Sequence, residues 1–137
     1  MKAHNLGQTD HAILVDVHAE ATSEKMAMGH FLKGRVTAVV GTHTHVPTSD
    51  LHILPGGTAY QTDLGMVGDY NSVVGMDPVA PLQRFTQKYV TERLTPASGP
   101  ATLCGVFIET DDKTGHAIKV RPVRLGGVLQ PTDDIEG

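Results

Sequence analysis

Two stretches decide the fold: Ala12-Ile13-Leu14-Val15-Asp16-Val17-His18, and Val36-Thr37-Ala38-Val39-Val40 running into Gly41-Thr42-His43-Thr44-His45. Each opens as a short apolar run rich in β-branched residues. Such a run reads as a buried strand in a sheet covered on both faces. Between them, residues 21–33 carry Met28, Phe31 and Leu32 at helical spacing, and Gly34 follows as a C′ cap. The order strand, helix, strand predicts one βαβ unit, parallel and right-handed.

Outward from this unit the pattern changes. Residues 51–54 and 58–62 flank Pro55-Gly56-Gly57 and predict a hairpin. Residues 63–77 are glycine-rich without a steady period and read as an ordered loop. Residues 78–89 predict a second amphipathic helix, with Pro81 in its first turn and Leu82, Phe85 and Tyr89 on one side. Residues 101–110 and 116–125 predict two antiparallel strands around Asp111-Asp112-Lys113-Thr114-Gly115. The polar tail after Gly126 is expected to fray. The class is α/β, in one domain over residues 1–137.

Composition narrows the function. Eleven basic residues against fifteen acidic ones give a net charge of −4, which leaves no basic footprint for duplex nucleic acid. Tryptophan is absent and aromatics are 4%, too few for a single-strand stacking platform. No apolar run approaches the roughly 18 residues of a membrane span, and the first eight residues lack a secretory h-region. One cysteine, Cys104, permits no internal disulfide and points to a reducing compartment, the cytoplasm. Cys104 itself lies in an apolar strand and reads as a small hydrophobe.

Eight histidines are the unusual feature. His18 leaves the first strand at its C-terminal end, and His43 and His45 leave the second. In parallel α/β sheets that edge is where ligand sites form. Residues two apart in extended backbone point the same way, so neighbouring strands can deliver three imidazoles to one place. Imidazole suits zinc, iron and related ions. His4, His11, His30, His52 and His116 lack this context and read as surface or packing residues. Asp16 and Glu20 flank His18. Asp16 reads either as a supporting partner of it or as a residue on the strand rim, and Glu20 as a first-turn carboxylate favoured by the helix dipole. Asp63 and Asp69, beside Gly65 and Gly68, can reach a ligand, although such aspartates commonly bond their own loop.

Several collinear blocks carry a resemblance. They are Asp16-Val17-His18-Ala19-Glu20-Ala21-Thr22-Ser23-Glu24-Lys25, Gly41-Thr42-His43-Thr44-His45-Val46-Pro47-Thr48, Tyr60-Gln61-Thr62-Asp63-Leu64-Gly65-Met66, residues 69–77, and Leu103-Cys104-Gly105-Val106-Phe107. Through them the chain resembles the YmdB-like family of calcineurin-type metallophosphoesterases. The resemblance implies a two-sheet α/β sandwich with mixed sheets and the site at the strand ends. It implies a two-metal centre holding Fe, Mn or Zn, with His18 and His43 on one ion and His45 on the other. Asp16, Thr42, Thr44, Asp63 and Asp69 are then supporting or substrate-facing candidates. The implied substrates are small phosphodiesters, notably 2′,3′-cyclic nucleotides.

The family pattern also includes an Asp, a bridging acidic residue and an Asn-His pair in an N-terminal half, and the blocks found here match the second half. The expected partner is therefore a complementary N-terminal half or a second copy, meeting a sheet edge left open beside Val15 and Val39. The alternative expectation is a non-catalytic remnant or interaction module. An amidohydrolase barrel, where H-x-H also follows a strand, needs roughly 250 residues and does not fit 137.

Overall fold

A computed structural model describes residues 4–89 and 92–132. The chain forms two compact units: one takes residues up to 65 together with 106–122, the other takes 66–105 and 123 onward.

In the first unit the order is β1 (Leu14–His18), α1 (Thr22–Leu32), β2 (Ala38–Thr42), β3 (His52–Leu54) and β4 (Thr58–Gln61). They build a four-stranded sheet in the order β1-β2-β4-β3. β1 and β2 are parallel, with Leu14 opposite Ala38 and His18 opposite Thr42. β2 and β4 are also parallel, and β3 returns antiparallel to β4. The predicted βαβ unit and hairpin are both present. The strands run on to His18 and Thr42, past the apolar runs, because backbone pairing continues where apolarity stops. That extension puts polar side chains on rigid strand ends.

Alternation along β2 feeds two clusters. Val39 is buried with Val36, Leu54 and Tyr60, against Ile13, Val15, Val17 and Leu32. Ala38, Ala59 and Ala117 are buried with Val40, Ile53, Ile108 and Val120 around them. Each fully buried Val or Leu contributes about 1.5–3 kcal/mol. Val39 lies mid-sheet, paired to Val15 on one side and Tyr60 on the other. The expectation of an open edge therefore fails at Val39 and concerns only the outer strand β1.

The helix corrects the sequence reading. α1 buries Lys25 and Gly29, and Leu32 packs on the core, whereas Met28 and Phe31 are exposed. Residues 25, 29 and 32 follow helical spacing too, but their stripe is not apolar enough to be recognised. Gly29 is there for closeness, since a Cβ on it would stand 2.7 Å from the Tyr60 ring. Gly34 has φ +75° and takes the left-handed cap that its position predicts.

The second unit carries β5 (Val67–Gly68) and α2 (Val79–Thr86), while β6 (Thr102–Thr110) and β7 (Ala117–Leu125) contribute residues to both units. These strands form a sheet in the order β5-β6-β7. α2 is shorter than its pattern and buries Ala80 and Pro81, leaving Leu82, Phe85 and Tyr89 exposed. As far as residue 132 the tail is fastened to β7. Thr132 bonds back to Arg124 through its amide and its hydroxyl, and residues 133–137 lie outside the described part. Among the described residues no helix is long and apolar enough to cross a membrane.

At Gly41, β2 and the chain leaving β4 approach closely. A Cβ there would run into the Thr62 carbonyl oxygen and the Lys25 side chain, and the Gly41 oxygen accepts from the Leu64 amide at 2.9 Å. Overpacking of this kind costs about 1–3 kcal/mol and more where backbone must move. Gly41→Ala is therefore expected to lower stability by at least about 3 kcal/mol in urea unfolding. An unchanged midpoint would show that the strands part without cost.

Candidate metal centre

His18 closes β1 directly opposite Thr42 on β2. Its Nδ1 lies 3.0 Å from Thr42 Oγ1, which donates to Asp16 Oδ1 at 2.9 Å. Asp16 and His18 are two apart on one strand, so they share a face. His43 follows β2 and turns its ring edge-on to His18, with centroids 5.1 Å apart and planes at 88°. His18 Nε2 and His43 Nδ1 are 3.4 Å apart.

That spacing suits a shared cation. Two imidazole nitrogens bound at about 2.05 Å with a tetrahedral angle stand about 3.3 Å apart. The two rings share a hydrogen bond, and the same spacing is compatible with two ligands of one ion. Among the described residues, no group of three or more His, Cys, Asp or Glu is gathered in a metal-holding arrangement, so two imidazoles converge rather than three. The premise that His43 and His45 leave an extended strand does not hold. His43 has φ +125° and His45 φ +65°, and the two-residue alternation ends where β2 ends.

Such backbone costs about 1–3 kcal/mol per residue and persists only where its surroundings hold it. Asp63 is the holder. It has no exposed surface, and its Oδ2 accepts from the Thr44 amide at 2.9 Å and from Lys25 Nζ at 3.0 Å. Oδ1 takes the Gly65 amide at 2.9 Å. Thr44, between the two histidines, is further fixed by its hydroxyl on the Val46 carbonyl. Thr48 is bonded to Asp63 through both amide and hydroxyl, and Gln61 reaches the Thr48 carbonyl. The histidine loop is therefore stitched to the end of β4.

Asp63, a supporting or substrate-facing candidate from its sequence, has its oxygens engaged in holding the loop. Asp69, in the second unit, accepts from the Asn71 and Gly99 amides. Lys25 closes the first of the quoted blocks, yet its position there suggests no role. Its signal was present, a lysine four residues before Gly29 on the helix side that faces the sheet, but a lysine is ordinarily read as solvated.

Burial pushes the Asp63 carboxyl up, but the Thr44 and Gly65 amides and the Lys25 ammonium more than offset this and hold it below the usual carboxylate value. A depressed value contributes stability that is complete above the unfolded pKa near 3.8 and is lost as pH falls through the folded one. Removing one partner of a buried pair costs about 3–5 kcal/mol. Lys25→Met and Asp63→Asn are each expected to lose that much in urea unfolding at pH 7. The double variant should lose clearly less than the two losses combined, and Asp63→Asn should flatten the acid limb of stability below about pH 4. Additive losses would mean that the two groups do not act as a pair.

The chain is similar to several known proteins. A 2′,3′-cyclic-nucleotide 2′-phosphodiesterase of Bacillus subtilis (strain 168) is 51% identical over 113 residues, which is 82% of this chain and 42% of that protein. The crystal structure of a hypothetical protein from Thermus thermophilus matches with TM-score 0.77 and 43% identity, over 85% of this chain and 45% of that one. The crystal structure of a novel phosphatase from Mycoplasma pneumoniae matches with TM-score 0.76 and 43% identity, over 82% and 40%. The chain thus spans less than half the length of these relatives. The YmdB-like protein family model matches residues 2–123, and with the sequence identity this establishes that the chain belongs to the YmdB-like family.

Proposed function

We propose that this chain provides part of the metal-binding face of a calcineurin-like phosphodiesterase acting on small phosphodiesters such as 2′,3′-cyclic nucleotides. The observation that carries the reading is the 3.4 Å approach of His18 Nε2 to His43 Nδ1 at two neighbouring strand ends, in a chain 51% identical to a cyclic-nucleotide phosphodiesterase. In this reading His18 and His43 hold one divalent ion and His45 a second, the ions being Fe, Mn or Zn. Bound divalent ions would supply charge neutralisation for a phosphoryl group and an acidified water.

The chain's own residues prepare that site. His18 and His43 offer their imidazoles, Lys25 and Asp63 keep the loop in its strained form, and Thr42 and Asp16 support His18. Two converged imidazoles are fewer ligands than a two-metal site uses. The reading therefore includes a complementary N-terminal half as the source of the remaining ligands, with a second copy as the other candidate partner. A reducing, cytoplasmic setting suits the free, buried thiol of Cys104.

The test is hydrolysis of 2′,3′-cyclic AMP with Mn²⁺, Fe²⁺ or Zn²⁺, with and without the N-terminal half of a family relative added in trans. Turnover is expected to be feeble for the chain alone and to rise on adding the half. His18→Ala or His43→Ala should lower it by at least the about 10–100-fold that losing an outer partner of a ligand costs. Turnover that survives His43→Ala would overturn the ligand assignment. A chain inert in every combination would favour the non-catalytic interaction module.

A further inference from the structure

His18 has two ring nitrogens, and only one can carry the proton of a neutral imidazole. The decision is made by its neighbours. Thr42 Oγ1 stands between His18 Nδ1 at 3.0 Å and Asp16 Oδ1 at 2.9 Å. A carboxylate only accepts, and a hydroxyl has a single proton. That proton goes to Asp16, so Thr42 Oγ1 meets His18 with a lone pair and requires an N–H from Nδ1. Nε2, the atom that faces His43, is then left unprotonated.

We propose that Thr42 is a positioning residue, which with Asp16 behind it locks His18 in the Nδ1–H tautomer and so keeps the Nε2 lone pair facing His43 Nδ1. The consequence for metal binding rests on the ligand reading of His18 above. The tautomer itself does not.

The sheet register makes the device possible. His18 and Thr42 are opposite one another across β1 and β2, and Asp16 is two residues back on the same face of β1. The three side chains therefore form a directed chain of hydrogen bonds anchored on paired backbone. Oriented partners of this kind fix the ring of a ligating histidine, and their loss typically costs about 10–100-fold in metal affinity. A valine at 42 keeps the branched shape and removes the relay. A serine keeps the relay and removes a methyl group.

The experiment is a long-range ¹⁵N–¹H spectrum of the metal-free chain at about pH 8.5, above the ordinary imidazole range. His18 is assigned by its disappearance in His18→Ala. The wild type should show His18 protonated on Nδ1, Thr42→Ser should retain that pattern, and Thr42→Val should move His18 toward the Nε2–H form. The wild-type spectrum is read on the native protein, so a Thr42→Val chain that failed to fold would leave it decisive. His18 protonated on Nε2 in the wild type, or an unchanged tautomer in folded Thr42→Val, overturns the proposal.

A second arm titrates Zn²⁺ alone against a chromophoric chelator. Binding should weaken about 10–100-fold in Thr42→Val and recover in Thr42→Ser. Binding weakened by His18→Ala but not by Thr42→Val overturns the positioning role. Binding indifferent to His18→Ala removes the ligand reading of His18 and leaves the tautomer assignment standing.

Discussion

The buried ion pair of Lys25 and Asp63 is the constraint on which the arrangement of the first unit turns. Both side chains are cut off from solvent, at 1% and 0% exposure, and a lone charge there would cost several kcal/mol. Each therefore dictates where the other stands. Lys25 ties α1 to the end of β4, and Asp63 uses the same oxygen to draw in the Thr44 amide. Two left-handed histidines in sequence neighbourhood cost about 2–6 kcal/mol together, which is the size of what such a pair can withhold if broken.

This view explains why the helix turns the face it does. An amphipathic helix normally lays its apolar stripe on the sheet, yet α1 lays down a lysine and a glycine and leaves Phe31 outside. The glycine admits the ring of Tyr60, and the lysine reaches past it to a carboxylate. A hydrophobic replacement could pack as well or better, as buried ion pairs commonly allow. It could not hold an amide of the histidine loop. The pair is better understood as specifying a geometry than as adding stability.

The sequence made the skeleton legible and the fastenings not. The βαβ unit, the hairpin about Gly56 and Gly57, and the cap at Gly34 follow from local rules, because period, β-branching and glycine conformation act over a few residues. The wrong faces of α1 and α2 have one cause. Met28, Phe31, Leu82 and Phe85 fit a helical stripe, but what each helix buries depends on what lies across from it. His18 and His43 were placed on neighbouring strand ends by parallel pairing alone, and they do meet. The backbone of His43 and His45 could not be read, because their left-handed φ is imposed from Asp63, well beyond them in the chain. Nothing in a Thr-His-Thr-His run announces it.

The stitching of the histidine loop to β4 also fixes an order of assembly. Thr44, Thr48 and the strand end at Gly41 find their partners at Gln61, Asp63 and Leu64, all of which leave the ribosome later. The helix and first two strands can pair early through nearby contacts, but the loop has no reason to take its strained course until the hairpin has docked. During synthesis the site therefore takes its shape only after the chain through Leu64 has emerged. A nascent chain halted just short of Asp63 would carry His18, His43 and His45 without the carboxylate that holds Thr44 between the last two.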